Sequence, residues 1–94
     1  MSQLVVNSPE SSRYEIVVDG QTVGFAAYEL RRDAIVFTHT EVDASRQERG
    51  LGGALVRAAL DDVRASTTLR VVDRCPFVKQ WIGTHPEYRD LLAR

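Results

Sequence analysis

Three groups of residues in this chain have types and spacings that suit chemistry. The first is Arg46-Gln47-Glu48-Arg49-Gly50-Leu51-Gly52-Gly53, with three glycines in four positions at the point where a helical pattern begins. Glycine inside a helix costs about 1 kcal/mol relative to alanine, so such a cluster needs a reason. A glycine turn that opens a helix leaves backbone N–H groups unshielded at the positive end of the helix dipole, a ready site for phosphate. Gly50 and Gly52 would allow close approach or a positive φ, and Arg46 and Arg49 would add charge at the rim. The second group is Cys75, followed by Pro76 at the start of a short helical pattern and flanked in sequence by Arg74 and Lys79. A thiol at a helix N-cap near cations favours thiolate, which is the nucleophilic form. The third group is His39 and Glu41, two residues apart on a β-patterned stretch and therefore predicted to share a face; either could act as a general base.

Each group also has a plainer reading. Ser45-Arg46-Gln47-Glu48 matches a capping box, so an ordinary helix could start at Ser45, with close packing explaining a glycine. The loop lacks the Gly-Lys-Ser/Thr ending of a P-loop and is not a GxGxxG fingerprint. A free cysteine is commonly buried and inert. His39 and Glu41 equally suit a half-buried strand histidine and a solvated carboxylate at a sheet edge.

The elements that must position these residues follow from periodicity. Leu4 to Val6 reads as a minor strand or a mobile arm spanning the first dozen residues, and the following NSPESS as a loop. Tyr14 to Val18 reads as a strand, and Asp19-Gly20 as a hairpin turn. Thr22 to Leu30 is a second strand, Arg31-Arg32-Asp33 a turn, and Ala34 to Val42 a third strand. In this third strand Ile35, Phe37, His39 and Glu41 are predicted to lie on one face. Val56, Ala59, Leu60 and Val63 then fall at helical spacing, with Arg57, Asp61 and Arg64 opposite. Leu69 to Val72 is a short strand, which makes a β-α-β crossover with parallel strands on either side of the helix. A short helix runs from Pro76 through Trp81 and Ile82, with Phe77, Trp81 and Ile82 predicted as its core. Thr84-His85-Pro86-Glu87 has capping-box spacing, and a last helical turn is predicted from Pro86 to Leu92. The fold class is α+β: an antiparallel meander, a crossover and short C-terminal helices in one compact domain over residues 1–94.

Composition bounds the function. The sequence is 44% hydrophobic and 27% charged, which fits a globular chain. Its net charge of −1 and lack of a basic stripe argue against nucleic acid and anionic membranes as partners. One cysteine permits no internal disulfide, and two scattered histidines make a metal site an unlikely expectation. MSQLVVNSPESSR has neither a basic start nor a long apolar core, and no apolar run suits a membrane span. These features together predict a cytoplasmic protein, for which a monomer is a compatible state.

Gln47-Glu48-Arg49-Gly50-Leu51-Gly52 matches the Q/R-x-x-G-x-G/A signature of the GNAT superfamily of acetyl-CoA-dependent N-acetyltransferases. More narrowly, HTEVDASRQERGLGGALVRAALDDVR, VVDRCPF and HPEYRDLL, in that order, resemble a subfamily of very small, truncated GNAT-like proteins. The resemblance runs from about Arg13 to the C-terminus. It implies that Gln47, Glu48, Arg49, Gly50, Leu51, Gly52 and Gly53 line the pyrophosphate of coenzyme A. It also implies that Val42 offers backbone groups to the pantetheine arm, where the parallel strands splay and admit the thioester. The chain departs from a full-length GNAT in lacking the N-terminal helices and final strands that usually form the acceptor pocket.

The resemblance implies transfer of acetyl from acetyl-CoA to an amine of a small molecule or protein. Such an amine is protonated near neutral pH and needs a base, for which Glu41 and His39 are the candidates. A cysteine in the position of Cys75 has been considered catalytic in the small subfamily, which adds a covalent route to the direct one. Tyr88 is a weaker candidate for protonating the leaving thiolate. The alternative is a non-catalytic module that binds coenzyme A or acyl-CoA and has lost the acceptor site.

Overall fold

A computed structural model of the chain describes residues 2–45 and 50–94. The strands are β1 (Gln3–Ser8), β2 (Arg13–Val18), β3 (Gln21–Leu30), β4 (Ala34–Val42) and β5 (Arg70–Asp73), with helices α1 (Leu51–Ser66) and α2 (Pro76–Gly83). The sheet order is β1-β2-β3-β4-β5, antiparallel through β4 and parallel between β4 and β5. The N-terminal segment is thus a paired strand and not a mobile arm.

Local chemistry accounts for the meander. Asp19 and Gly20 have φ of 50° and 83°, the left-handed pair that a two-residue hairpin requires. Alternation in β2 buries Tyr14, Ile16 and Val18 and turns Arg13, Glu15 and Val17 the other way. The helices cover one face only. Val56, Ala59 and Leu60 of α1 and Val78 of α2 meet Ala26 of β3 and Phe37 of β4 in a common apolar layer. Leu55, Leu60 and Val63 are fully buried. Burying each such aliphatic side chain contributes roughly 1.5–3 kcal/mol, which carries α1 despite its two early glycines.

The opposite face of the sheet has no helix on it among the described residues. The helical turn predicted from Pro86 to Leu92 is present, as a 3-10 helix over Pro86–Ala93. Its capping box does not form: Thr84 Oγ1 donates to the carbonyl of Trp81 at 3.0 Å, and His85 takes the N-cap position. The chain closes with Arg94, whose guanidinium donates to the carbonyls of Val63, Arg64, Thr67 and Leu69 at the end of α1.

Two irregularities shape the sheet. Val23 is an extra residue in β3, between the Val17–Thr22 and Ile16–Gly24 pairs. Thr38 is an extra residue in β4, between the Tyr28–Phe37 and Ala27–His39 pairs. A one-residue bulge reverses the facing of every side chain beyond it. The predicted common face of Ile35, Phe37, His39 and Glu41 is therefore wrong. Ile35 and Phe37 are buried, whereas His39 and Glu41 stand exposed on the open face.

Two outcomes follow. A Cβ on Gly24 would stand 2.8 Å from the carbonyl oxygen of Glu41, a backbone atom that cannot swing aside. Gly24→Ala should destabilise the fold by about 1–3 kcal/mol in urea unfolding; an unchanged midpoint would contradict this packing. Tyr14 donates to Asp62 Oδ2 at 2.6 Å, and burial first, then this bond, hold its pKa far above the ordinary value. An unfolded tyrosine ionises near pH 10, so the stabilisation is complete below that pH and is lost as pH rises further. Alkaline unfolding should steepen above about pH 10, and Tyr14→Phe should flatten that dependence.

Candidate functional site

The parallel pairing of β4 with β5 is short. It joins Ala34–Arg70, Ile35–Val71, Val36–Val72 and Phe37–Asp73, and there it ends. The next tie is the N–H of Cys75, which donates to the carbonyl of Phe37 at 2.8 Å. Beyond it, Thr38 to Val42 pair only with β3 among the described residues. Among the described residues, one edge of β4 is thus left without a strand partner between its middle and Val42.

Cys75 is the N-cap residue of α2, with Pro76 in the first turn, as the sequence predicts. Its side chain is buried at 2% exposure, and Sγ lies 3.4 Å from the hydroxyl of Thr40. Thr40 pairs with Ala26, on the helix-covered face. Sequence reasoning missed Thr40, because without the bulge it would face away from the helices. The signal lay in Thr38-His39-Thr40, a stretch that binary alternation alone cannot phase.

His39 and Glu41 lie on the other side of the sheet. His39 Nε2 is 2.8 Å from Glu41 Oε2, and both side chains are more than half exposed, at 59% and 62%. His39 packs beside Phe25, with ring centroids 6.0 Å apart, and Arg13 covers Phe25 at 4.5 Å. Arg13, Thr22, Phe25, Glu41 and Asp43 border an open depression of about 360 Å³ on this face. The structure therefore joins His39 to Glu41 and separates both from Cys75. They cannot form one relay.

At the glycine turn, Gly50 is the N-cap of α1 with φ 84° and ψ 4°. This left-handed conformation excludes a continuous helix from Ser45 through Gly50. Ser45 instead donates to Asp43 Oδ1 through its N–H and its hydroxyl. The first intrahelical bond of α1 runs from Ala54 N–H to Gly50 O, and no described side chain caps the helix. The N–H groups of Leu51, Gly52 and Gly53 precede that bond and have no acceptor within the helix.

The glycines have different tasks. A Cβ on Gly52 would meet the Phe77 ring at 2.8 Å, and one on Gly53 would lie 3.4 Å from Trp81 Nε1. Gly52 thus admits α2 against the start of α1, whereas Gly53 has room for a methyl group. Phe77 is not core, as predicted, but 40% exposed over Gly52. Arg46, Gln47, Glu48 and Arg49, to which the sequence assigned charge and pyrophosphate contacts, lie outside the described residues.

Tyr88, the residue weighed as a proton donor to the thiolate, is committed elsewhere. Tyr88 donates to Asp61 Oδ1 at 2.7 Å and accepts from Arg57 at 3.2 Å. Burial first, and then the bond to Asp61, raise its pKa. His85 stacks on Trp81 at 3.8 Å and donates through Nδ1 to the Trp81 carbonyl, a packing role. Among the described residues no cluster of histidine, cysteine and carboxylates could hold a metal ion, and no helix is long and apolar enough to cross a membrane.

A meander whose last strand parts from its parallel neighbour beside a glycine-opened helix is a GNAT-like fold. Residues 13–91 match the family described as GCN5-related N-acetyl-transferase, and the chain belongs to it. Among solved structures, the chain is similar to the crystal structure of the ribosomal-protein-alanine N-acetyltransferase from Brucella melitensis biovar Abortus 2308. The TM-score is 0.58 at 21% identity, over 68% of this chain and 49% of that one. The chain thus spans about half the length of that protein, and the likeness is one of fold. No curated relative matches the sequence.

The glycine turn yields a contrast in stability. Gly50→Ala forces a side chain into a left-handed conformation and should cost about 1–2 kcal/mol. Gly53→Ala makes only ordinary contact and gains helix propensity, so it should be neutral or slightly stabilising. Paired denaturant curves check this; equal losses at the two positions would contradict the assigned conformations.

Proposed function

We propose that the protein is an acetyl-CoA-dependent N-acetyltransferase acting on an amine of a small molecule or protein. The observation that carries this reading is the release of β4 from β5 after Phe37, beside the uncapped start of α1. The N–H groups of Leu51, Gly52 and Gly53 suit a pyrophosphate, and the turn at Gly50 aims them outward. Gln47, Glu48 and Arg49 would complete that contact. The free edge of β4 up to Val42 offers backbone groups to the pantetheine arm, and the coenzyme brings the acetyl thioester.

The exposure of the candidates favours direct transfer. Glu41, with His39 against it at 2.8 Å, is open to an incoming ammonium, while Cys75 is buried. Glu41 takes a proton from the ammonium, directly or through water, and His39 shares the charge. The amine nitrogen then bonds to the acyl carbon as the carbonyl electrons move to oxygen. A backbone N–H on the unpaired edge of β4 is suited to hold that oxyanion. Collapse breaks the carbon–sulfur bond, the coenzyme thiolate leaves with the electron pair, and the proton shed by the nitrogen of the adduct passes to that thiolate.

Thermal-shift titration with coenzyme A and acetyl-CoA against ATP and NAD tests the binding. A ligand of the folded state at 100 times its Kd stabilises by about 2.7 kcal/mol, and only the two coenzymes should do so. The absence of any shift with them would sink the proposal. With an amine panel, Glu41→Gln should lower kcat by about 100-fold, and Cys75→Ala should leave it near wild type. Acetyl-Cys75 in the mass spectrum, with activity lost in Cys75→Ala, would install the covalent route instead. Saturable coenzyme binding without turnover of any amine would leave a binding module.

A further inference from the structure

β1 ends the sheet, and among the described residues it pairs only with β2. Sheet edges are normally blunted by shortness, charge, proline, a bulge or a cover, because unpaired backbone groups recruit other strands. The β5 edge follows that rule. It is four residues long, carries Arg70 and Asp73, and packs against the 3-10 helix Pro86–Ala93. β1 does not: its six residues, Gln-Leu-Val-Val-Asn-Ser, include no charge and no proline, and its register with β2 runs unbroken.

The ladder shows which backbone groups β1 leaves unused. Asp19 N–H donates to the Ser2 carbonyl at 2.8 Å, so Ser2 and Asp19 form a hydrogen-bonded pair. Such pairs alternate along an antiparallel ladder. Leu4 and Val6 therefore bond to β2, while Gln3, Val5 and Asn7 aim their N–H and C=O groups outward. The side chains alternate in step. Leu4 and Val6 stand opposite Val17 and Glu15 on the open face, 50% and 38% exposed, whereas Val5 packs on the core.

We propose that β1 pairs antiparallel with β1 of a second copy of this chain, across a two-fold axis at Val5. Gln3 then lies opposite the second copy's Asn7 and Val5 opposite its own mate, so each copy donates and accepts at the groups that β2 leaves unused. Leu4 lies opposite the second copy's Val6 in a non-hydrogen-bonded position, where side chains approach most closely. Every cross-strand pair is apolar or neutral, and no like charges meet. The strand is complementary to itself, which is what a two-fold interface requires. The blunted β5 edge closes the assembly at two copies. Because the axis stands perpendicular to the sheet, the helices of both copies lie on one side and both His39–Glu41 pairs are open on the other.

Light scattering on the full chain from about 5 to about 500 μM should show the mass rising to twice that of one chain. Amide exchange at Gln3, Val5 and Asn7 should be slower in the concentrated sample than in the dilute one, while Leu4 and Val6 are protected in both. Leu4→Lys with Val6→Lys sets lysine against lysine and should weaken the dimer roughly tenfold or more. Mixing that variant with Leu4→Glu/Val6→Glu should restore the doubled mass. A chain that stays monomeric throughout, leaving the edge to water or to a foreign strand, overturns the inference. So does a dimer in which the Gln3, Val5 and Asn7 amides exchange as in the dilute sample, or a mixture that does not recover. The exchange measurement uses the wild-type chain, so a poorly folded variant leaves the test intact.

Discussion

The hydrogen bond from Cys75 N–H to the Phe37 carbonyl is the last tie between β4 and the crossover that follows it. Its position matters because the extra residue Thr38 follows at once. Before that point β4 is a central strand, held by β3 and β5 and with one face under the helices. After it, β4 has one strand partner among the described residues and the opposite phase of side chains. The same short span thus creates a free strand edge, turns Thr40 toward Cys75, and turns His39 and Glu41 into the open face. A regular strand could do none of these, because unbroken pairing would satisfy the edge and unbroken alternation would bury the carboxylate.

The start of α1 depends on the same region. Gly50 supplies the left-handed turn, and the lack of a side chain at Gly52 lets Phe77 close over the first helical turn, with Trp81 in ordinary contact range of Gly53. The two helices therefore meet at their N-terminal ends. Where helix propensity is weakest, apolar contact from the crossover side compensates, and Leu51 is buried directly after the turn. The helix keeps its uncapped amides because packing, and not capping, stabilises this end. At its far end the opposite holds, with Arg94 satisfying four carbonyls around the C-terminus of α1.

Much of this architecture is legible in the residues. The Asp19-Gly20 turn, the bounds of β4, the apolar stripe of α1 and the crossover to β5 all follow from local periodicity and turn chemistry. These depend on neighbours a few positions apart, which the sequence contains in full. Cys75 at the head of α2 is equally readable from the proline after it. The 3-10 form of Pro86–Ala93 was not, because the threonine of the apparent capping box bonds back to Trp81, a choice made by the docked end of α2.

What the sequence by itself determined is the set of elements, their order and the family signature at the glycine turn. Only the tertiary structure decided which candidates work together. The facing of His39 and Glu41 depends on one extra residue in β4, and a bulge is defined by the pairing partner, not by the strand's own alternation. The exposure of Phe77 and the reason for Gly52 likewise depend on how α2 returns to α1. Contacts between residues distant in the chain have no local period to announce them, so the division of the site between two faces of the sheet emerged only when the strands were paired.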